Sequence, residues 1–399
     1  MSLTCPLAPS TASFEEYSPD GLSGPELDVT AFVAGIEALT GTGMVDITTE
    51  EDGKPGFESV PVWELGATLD AEPDPVIAVE ASELVSITEV HNADASSTGG
   101  DGATEDPTVS AVTNDPLIGD QWSNEKVPYT TVWQCGRGAG IDIAVLDTGV
   151  DRTHPDLAGH TTTGGSSLGG QGSVVPGGGG TDPHGHGTHV AGIAAATADN
   201  STGIAGVAPD ATIIPVRVLD ASGSGFNVDV AAGITWAADA GAEVINLSLG
   251  GPNQAASVAN AIAYATSKGV VVVAAAGNGG VNGAPQYPGA DNRTIAVASV
   301  DSNLAVSTFS TRGNYVDIAA PGGSILSTVP GALYTTKSGT SMATPFISGV
   351  VALTLGTHPT LNPDQVRQRI MDTARETGPI GHDPAYGAGI VDLVGSVGT

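Results

Sequence analysis

From residue 114 onward, apolar and small-residue stretches alternate in a regular order. Four apolar runs, 141–147 (IDIAVLD), 211–220 (ATIIPVRVLD), 242–249 (AEVINLSL) and 268–277 (KGVVVVAAAG), are separated by Ala-rich stretches at 186–197, 227–241 and 255–269. The runs are continuously apolar, as expected of strands covered on both faces, and the stretches between them read as helices. Strand and helix in alternation predict an α/β fold, a three-layer sandwich with a mostly parallel central sheet and helices on both faces. Chemistry in such sheets gathers at the carboxyl ends of the strands. The Gly-rich stretch 164–180 reads as a flexible surface loop.

The chain before residue 114 has a different texture. Residues 1–26 are rich in Pro, Ser and acids and are expected to be disordered. Residues 27–92 carry mixed patterns: 27–39 (LDVTAFVAGIEAL) reads as a short helix, while 60–69 and 74–90 read as strands or strand–helix pieces, together a small α+β unit. Residues 93–113 form an acidic, Gly-rich linker, leaving 114–399 as the main domain.

Charge sharpens this division. Residues 1–114 hold 22 acids and one base, and residues 115–399 hold 22 acids and 11 bases, within a formal net charge of −32. Such a surface repels nucleic-acid phosphates and anionic membranes, so neither is an expected partner. It suits a salt-rich setting, an acidic segment removed later, or solubility alone. The two cysteines, Cys5 and Cys135, fall in different segments and make neither a disulfide framework nor a metal site. No apolar run reaches the ~18 residues of a membrane span. The first twenty residues lack the basic and long apolar regions of a signal peptide.

Four motifs fall at the predicted strand ends and helix starts. Asp147 closes an apolar strand in AVLDTG (144–149), where a single Asp ordinarily caps or turns. His186 opens a small-residue helix in HGHGTHVAGI (184–193), beside His184 and His189. Ser341 stands in SGTSMATPFISGV (338–350), just before a helix whose positive end favours developing negative charge. Asn278, in AAAGNGG (274–280), sits in a Gly-flanked turn where its amide can donate to an oxyanion alongside the Ser341 N–H. A serine hydroxyl is a poor nucleophile unless a neutral imidazole takes its proton and a carboxylate orients that imidazole. Asp147, His186 and Ser341 supply the three parts.

These motifs, DTG at Asp147, HGTHVAGI from His186, SLGG from Ser248, AAAGN to Asn278 and GTSMATP around Ser341, resemble the subtilase family, and most closely its thermitase-like branch. The resemblance covers about 114–394. It implies a serine endopeptidase that works through an acyl-enzyme on proteins and peptides with broad specificity. Ser248, Leu249 and Gly250 would form one substrate-pairing edge, and Gly223 and Gly225 the other. Ala275, Ala276 and Gly277 would wall a specificity pocket roomy enough for a large apolar side chain, with the polar Gln286 at its base. A structural calcium ion (Ca²⁺) is implied, held by Asp115, Asp156 and Asn200 side chains and by the carbonyls of Thr197, Thr202 and Ile204. Phe346 replaces the family's usual histidine after the serine motif. The resemblance further implies a monomeric, extracellular enzyme, made as a precursor whose pro-domain (27–92) is cut away in the linker.

Two other readings of the residues stay open here. A subtilase-like module could bind extended peptides without cutting them. A metal-dependent hydrolase could use His184, His186 and His189.

Overall fold

A computed structural model describes residues 44–51, 53–61, 76–81, 84–87 and 113–398. The expected helix at 27–39, the disordered start and the linker 93–112 lie outside them.

In chain order the strands are β1 (Met44–Glu51), β2 (Lys54–Pro61), β3 (Val76–Ala81), β4 (Leu84–Ser86), β5 (Asp142–Asp147), β6 (Gly165–Ser166), β7 (Val175–Pro176), β8 (Thr212–Arg217), β9 (Ser224–Phe226), β10 (Val244–Leu247), β11 (Val271–Ala275), β12 (Thr294–Val300), β13 (Ile318–Pro321), β14 (Ile325–Val329) and β15 (Leu333–Lys337). The α-helices are α1 (Trp122–Lys126), α2 (His186–Ala195), α3 (Asn227–Asp239), α4 (Ala256–Ser267), α5 (Thr340–Thr357), α6 (Pro363–Asp372) and α7 (Leu393–Val397).

Eight strands form the central sheet in the order β13-β12-β11-β10-β5-β8-β6-β7. All neighbours run parallel except the β6–β7 pair at the edge. The four strands and three helices read from the apolar runs are all present, trimmed by one to three residues at most ends. One apolar core, on the side of α2 and α5, includes Ile143, Val145, Val190 and Val350, and the other, on the side of α3 and α4, includes Ala144, Leu146, Ile234 and Ile262. Successive residues of β5 thus face opposite cores, which is why the strand shows no polar alternation. Helix α5 is apolar all round because it is buried nearly all round, as a helix through the middle of a core must be.

The stretch 164–180 departs from the surface-loop expectation. It supplies β6 and β7 to the sheet edge, and the buried Asp229 carboxylate accepts from Ser167 Oγ (2.7 Å), Gly170 N (2.7 Å) and Gly172 N (3.2 Å). A buried carboxylate needs such donors, and here they come from the loop it anchors.

Ahead of the main domain, β2-β1-β3 make a separate antiparallel sheet that lies against α3 and α4. Lys54 of β2 reaches across to Asp239 at the end of α3. Burial works against the charged form of Asp239. Hydrogen bonds from Lys268, Lys54 and Tyr264 nonetheless hold its carboxyl down at about 2.

Candidate active site

Asp147 ends β5 with its side chain wholly buried, and His186 begins α2 at 1 % exposure. His186 Nδ1 lies 2.9 Å from both Asp147 carboxylate oxygens. That contact fixes the proton on Nδ1 and leaves the Nε2 lone pair free to accept one. Nε2 is buried and has no hydrogen-bond partner among the described residues.

The carboxylate is itself held from behind. Thr148 donates from its N–H (2.7 Å) and its hydroxyl (3.2 Å) to Asp147 Oδ1. The Thr148 hydroxyl also stands 2.8 Å from Asp182 Oδ1 and accepts from Gly187 N at 3.0 Å. Asp182 takes further bonds from His184 N, Gly185 N, Thr188 N and Thr188 Oγ1. It thus binds the orphan donors at the start of α2, where a carboxylate is also favoured by the helix dipole. Asp182 went unnoticed in the sequence, although an acid four residues before His186 is a readable helix-start cue. At Gly187 a Cβ would stand 2.1 Å from Gly149 O and 3.0 Å from Asp147 Cβ, so only glycine lets the helix approach the aspartate this closely.

Ser341 lies in the first turn of α5, 5 % exposed. Pro345 sits inside that helix and has no N–H, which leaves the carbonyl four residues earlier, that of Ser341, without its helical donor. Ser248 Oγ takes the vacant place, donating to Ser341 O at 2.8 Å, and is itself held by Asn246 Nδ2 at 3.0 Å. The Ser341 hydroxyl donates back to Ser248 O at 3.2 Å rather than to His186. Ser341 and Ser248 are therefore tied by two bonds. Catalytic serine–imidazole bonds commonly tighten only once substrate is bound.

Asn278 follows β11 in the Gly-flanked turn. Its Oδ1 accepts from Thr340 N (2.9 Å) and Thr340 Oγ1 (3.0 Å), which orients the amide so that Nδ2 passes beside Gly339, next to Ser341.

A strand lies between the two segments expected to form the cleft edges. β4 pairs antiparallel with β9, placing Val85 opposite Gly225. On the same side Ile87 N donates to Gly223 O at 3.0 Å, and on the other side Ser86 and Gly250 exchange two backbone bonds, each 3.2 Å. Val85 enters an apolar pocket that includes Val230, Leu249, Val258 and Ile262.

Beside Ser341, a second pocket is lined by Ala275, Gly277 and Gln286. Ala276 is not part of that lining. It is wholly buried in the core, because alternation along the extended chain turns its side chain to the face opposite Ala275. The large apolar pocket expected here is also narrowed: Gln286 Cγ lies 2.4 Å from where a Gly277 Cβ would be, and its amide donates to Ala284 O and Pro285 O.

The residues expected to hold calcium converge as well. Asp156, wholly buried, accepts from Asn200 Nδ2 (3.0 Å) and Ile204 N (2.9 Å). Asp115, 2 % exposed, accepts from Asp199 N (2.9 Å), Asn200 N (3.1 Å) and the Thr113 hydroxyl. Thr197 N bonds to Asp156 O, and Thr202 N to Asn200 Oδ1. The nearby Arg137 pairs with Asp199 (2.8 Å) and Asp210 (3.1 Å) instead. Two buried carboxylates, with no Lys or Arg paired to them among the described residues, fit a hard divalent cation.

The three histidines do not share a ligand set. His186 binds Asp147, while His189 Nε2 binds Thr335 O at 3.1 Å. Burial, with Lys337 and His186 nearby, pushes His189 down to about 3, so it stands neutral. No cluster of three or more His, Cys, Asp or Glu suited to a metal occurs among the described residues.

A parallel α/β sheet with a buried Asp–His pair and a helix-initial serine at its strand ends is the arrangement of a serine hydrolase. The sequence comparisons make the class specific. Residues 138–389 match the subtilase family. Thermitase from Thermoactinomyces vulgaris is 52 % identical over 241 residues, 60 % of this chain and 84 % of that protein. Subtilisin Savinase from Lederbergia lenta is 44 % identical over 256 residues, 64 % and 90 % of the two chains, and M-protease from Shouchella clausii (strain KSM-K16) is 42 % identical over 294 residues, 72 % and 73 %. The chain belongs to the subtilase family and is a subtilisin-like serine endopeptidase.

Proposed function

We propose that Ser341 is the nucleophile, His186 the general base and acid, Asp147 the group that orients it, and Asn278 with the Ser341 N–H the oxyanion donors. Ser341 Oγ attacks the peptide carbonyl as its proton passes to His186 Nε2. The tetrahedral oxyanion forms against Asn278. The leaving amine takes the proton from His186, and water then releases the acyl group by the same steps in reverse. The observation that carries this reading is β4: an extended stretch of peptide is clamped by backbone bonds on both cleft edges, beside Ser341. Backbone pairing of this kind reads chain conformation more than side chains, so the enzyme accepts many sequences.

A fluorophosphonate probe tests the assignment. The mature enzyme takes one label, on Ser341, and Ser341→Ala takes none. Labelling elsewhere, or none in an active preparation, would sink it.

The N-terminal segment is a pro-domain in this reading. β1–β3 brace α3 and α4 while 84–87 fills the cleft, and self-cleavage releases them. The mature enzyme works as an extracellular monomer.

Ca²⁺ is the structural ion. Asp115, Asp156 and Asn200, with the carbonyls of Thr197, Thr202 and Ile204, would hold it, and its charge would compensate the two buried carboxylates. Chelation is expected to destabilise the fold by about 4 kcal/mol relative to calcium at ~1,000 times its Kd. Thermal unfolding of Ser341→Ala, which cannot digest itself, measures this. Asp156→Asn should abolish most of the calcium-dependent shift, and an unchanged shift in that variant would place the ion elsewhere.

A further inference from the structure

We infer that Tyr334 is a positioning residue for the proposed calcium site: its hydroxyl donates to the Asp156 carboxylate when the ion is seated, so that the β14–β15 hairpin, and not the loop alone, sets how tightly calcium is held. This rests on the calcium reading above and adds a residue from outside the expected ligand set.

Tyr334 lies in β15, paired opposite Thr328 of β14. Its hydroxyl is buried and has no hydrogen-bond partner among the described residues. A buried hydroxyl without a partner is rare and calls for a reason. Gly203 shows where this one points. A Cβ on that residue would stand 2.0 Å from Tyr334 Oη and 2.3 Å from Asp156 Oδ2, so the phenol and carboxylate oxygens face the same small space. The positive φ of Gly203, +47°, also favours glycine there and keeps that space open. Asp156 has acceptor capacity to spare. Its carboxylate takes Asn200 Nδ2 on Oδ1 and Ile204 N on Oδ2, against about four lone-pair sites.

The hairpin is fixed well enough to aim the phenol. Thr328, opposite Tyr334, donates from Oγ1 to Thr188 O at 2.8 Å, and Ser327 Oγ donates to His189 O at 2.7 Å, which pins β14 to α2. On the other side the buried His154 ring meets the Tyr334 ring edge-on, with centroids 5.1 Å apart. His154 Nδ1 accepts from Asp156 N at 3.2 Å, so the ring proton is on Nε2, which donates to Leu333 O at 3.1 Å. One imidazole thus bridges the Asp156 backbone to β15, and the phenol of β15 stands beside the carboxylate of the same aspartate. Burial, with the Asp156 and Asp115 carboxylates close by, pushes the phenol above its ordinary value, so it keeps its proton and faces them as a donor.

Groups that hydrogen-bond a metal ligand fix its orientation, and their removal commonly weakens metal affinity by about 10–100-fold. A hydroxyl that acts on the ion through Asp156 contributes to calcium affinity and not to the stability of the chelated protein. A hydroxyl that merely packs contributes to both alike. The two roles are therefore separable by measurement.

The test compares the full chain carrying Ser341→Ala with the same chain carrying Ser341→Ala and Tyr334→Phe, so that neither digests itself. Chelator competition gives the calcium Kd, and thermal unfolding at several calcium concentrations and in excess EDTA gives stability with and without the ion. The expected result is a Kd about 10–100-fold weaker with Tyr334→Phe, and an unfolding temperature in EDTA equal to that of the parent. An unchanged Kd overturns the inference. So does a loss of stability of equal size with and without calcium, which would make the hydroxyl a packing group. A parent that loses calcium binding with Asp156→Asn but not with Tyr334→Phe overturns the inference and leaves the calcium reading intact. A parent that binds no calcium overturns both.

Discussion

Ser341→Ala is expected to lower kcat for peptide hydrolysis on the order of 10⁶-fold, a magnitude that comes from a subtilisin itself and is carried across to this chain. The variant keeps the Asp147–His186 pair, both cleft edges and the Asn278 amide, so substrate should still bind with a KM close to that of the wild type. What is lost is the atom that forms the acyl bond. Residual hydrolysis of about 10³–10⁴ over water would remain from binding and oxyanion stabilisation. The structural cost is small: the hydroxyl makes one recorded bond, to Ser248 O, worth about 1 kcal/mol. Steady-state kinetics on a chromogenic peptide, with thermal unfolding of the same samples, separate the two effects. A loss below 100-fold would mean that another group is the nucleophile.

Asn278→Ala should lower kcat by about 10²–10³ with little change in KM, again a magnitude established on a subtilisin. The amide acts on the oxyanion, which exists only in the transition state, so ground-state binding has little to lose. The structure supplies a complication that must be controlled. Asn278 Oδ1 also accepts from Thr340 N and Oγ1, in the turn that carries Ser341. Truncation therefore removes a donor and loosens an anchor together. Asn278→Asp separates them: it keeps an oxygen for Thr340, removes the donor and adds a charge that repels the oxyanion. It should be at least as slow as the alanine variant. If it retains near wild-type kcat, Asn278 is an anchor for the serine turn and the oxyanion role is wrong.

The pairing of donor and anchor in one side chain illustrates how the site is built. Each candidate group is held by a neighbouring side chain, in two cases one from a distant part of the chain. Thr148 and Asp182 hold Asp147 and the start of α2, Ser248 holds Ser341, and Thr340 holds Asn278. The positions of the reacting groups follow from strand ends and helix starts, and their orientations follow from these cross-links.

That difference separates what could be read in the linear chain from what could not. The strands β5, β8, β10 and β11 and the helices α2 to α4 were legible because burial on both faces of the sheet makes their runs continuously apolar, a local property. Asp147, His186, Ser341 and Asn278 were legible because each sits in a small-residue motif at the end or start of such an element, where chemistry and backbone geometry constrain adjacent residues together. The residues proposed to hold calcium were named by resemblance, and the fold brings Asp115, Asp156 and Asn200 within reach of one another. Other features depend on pairings that leave no local trace. Asp182 caps α2 locally, but its contact with Thr148, and so its link to Asp147, exists only once β5 and α2 are side by side. Ala276 was misplaced because which face an extended residue presents is set by the core packed against it. Gln286 narrows the pocket only through its approach to Gly277. Residues 164–180 look like a loose loop until Asp229, more than fifty residues away, anchors them. Likewise, nothing in residues 84–87 announces that they pair with Gly223–Phe226 and Gly250. The sequence by itself determined the sheet, its helices and the candidates for the reacting groups, since those rest on periodicity and short motifs. The tertiary structure alone decided the register of the chain in its own cleft, since register is a relation between segments some 140 to 165 residues apart.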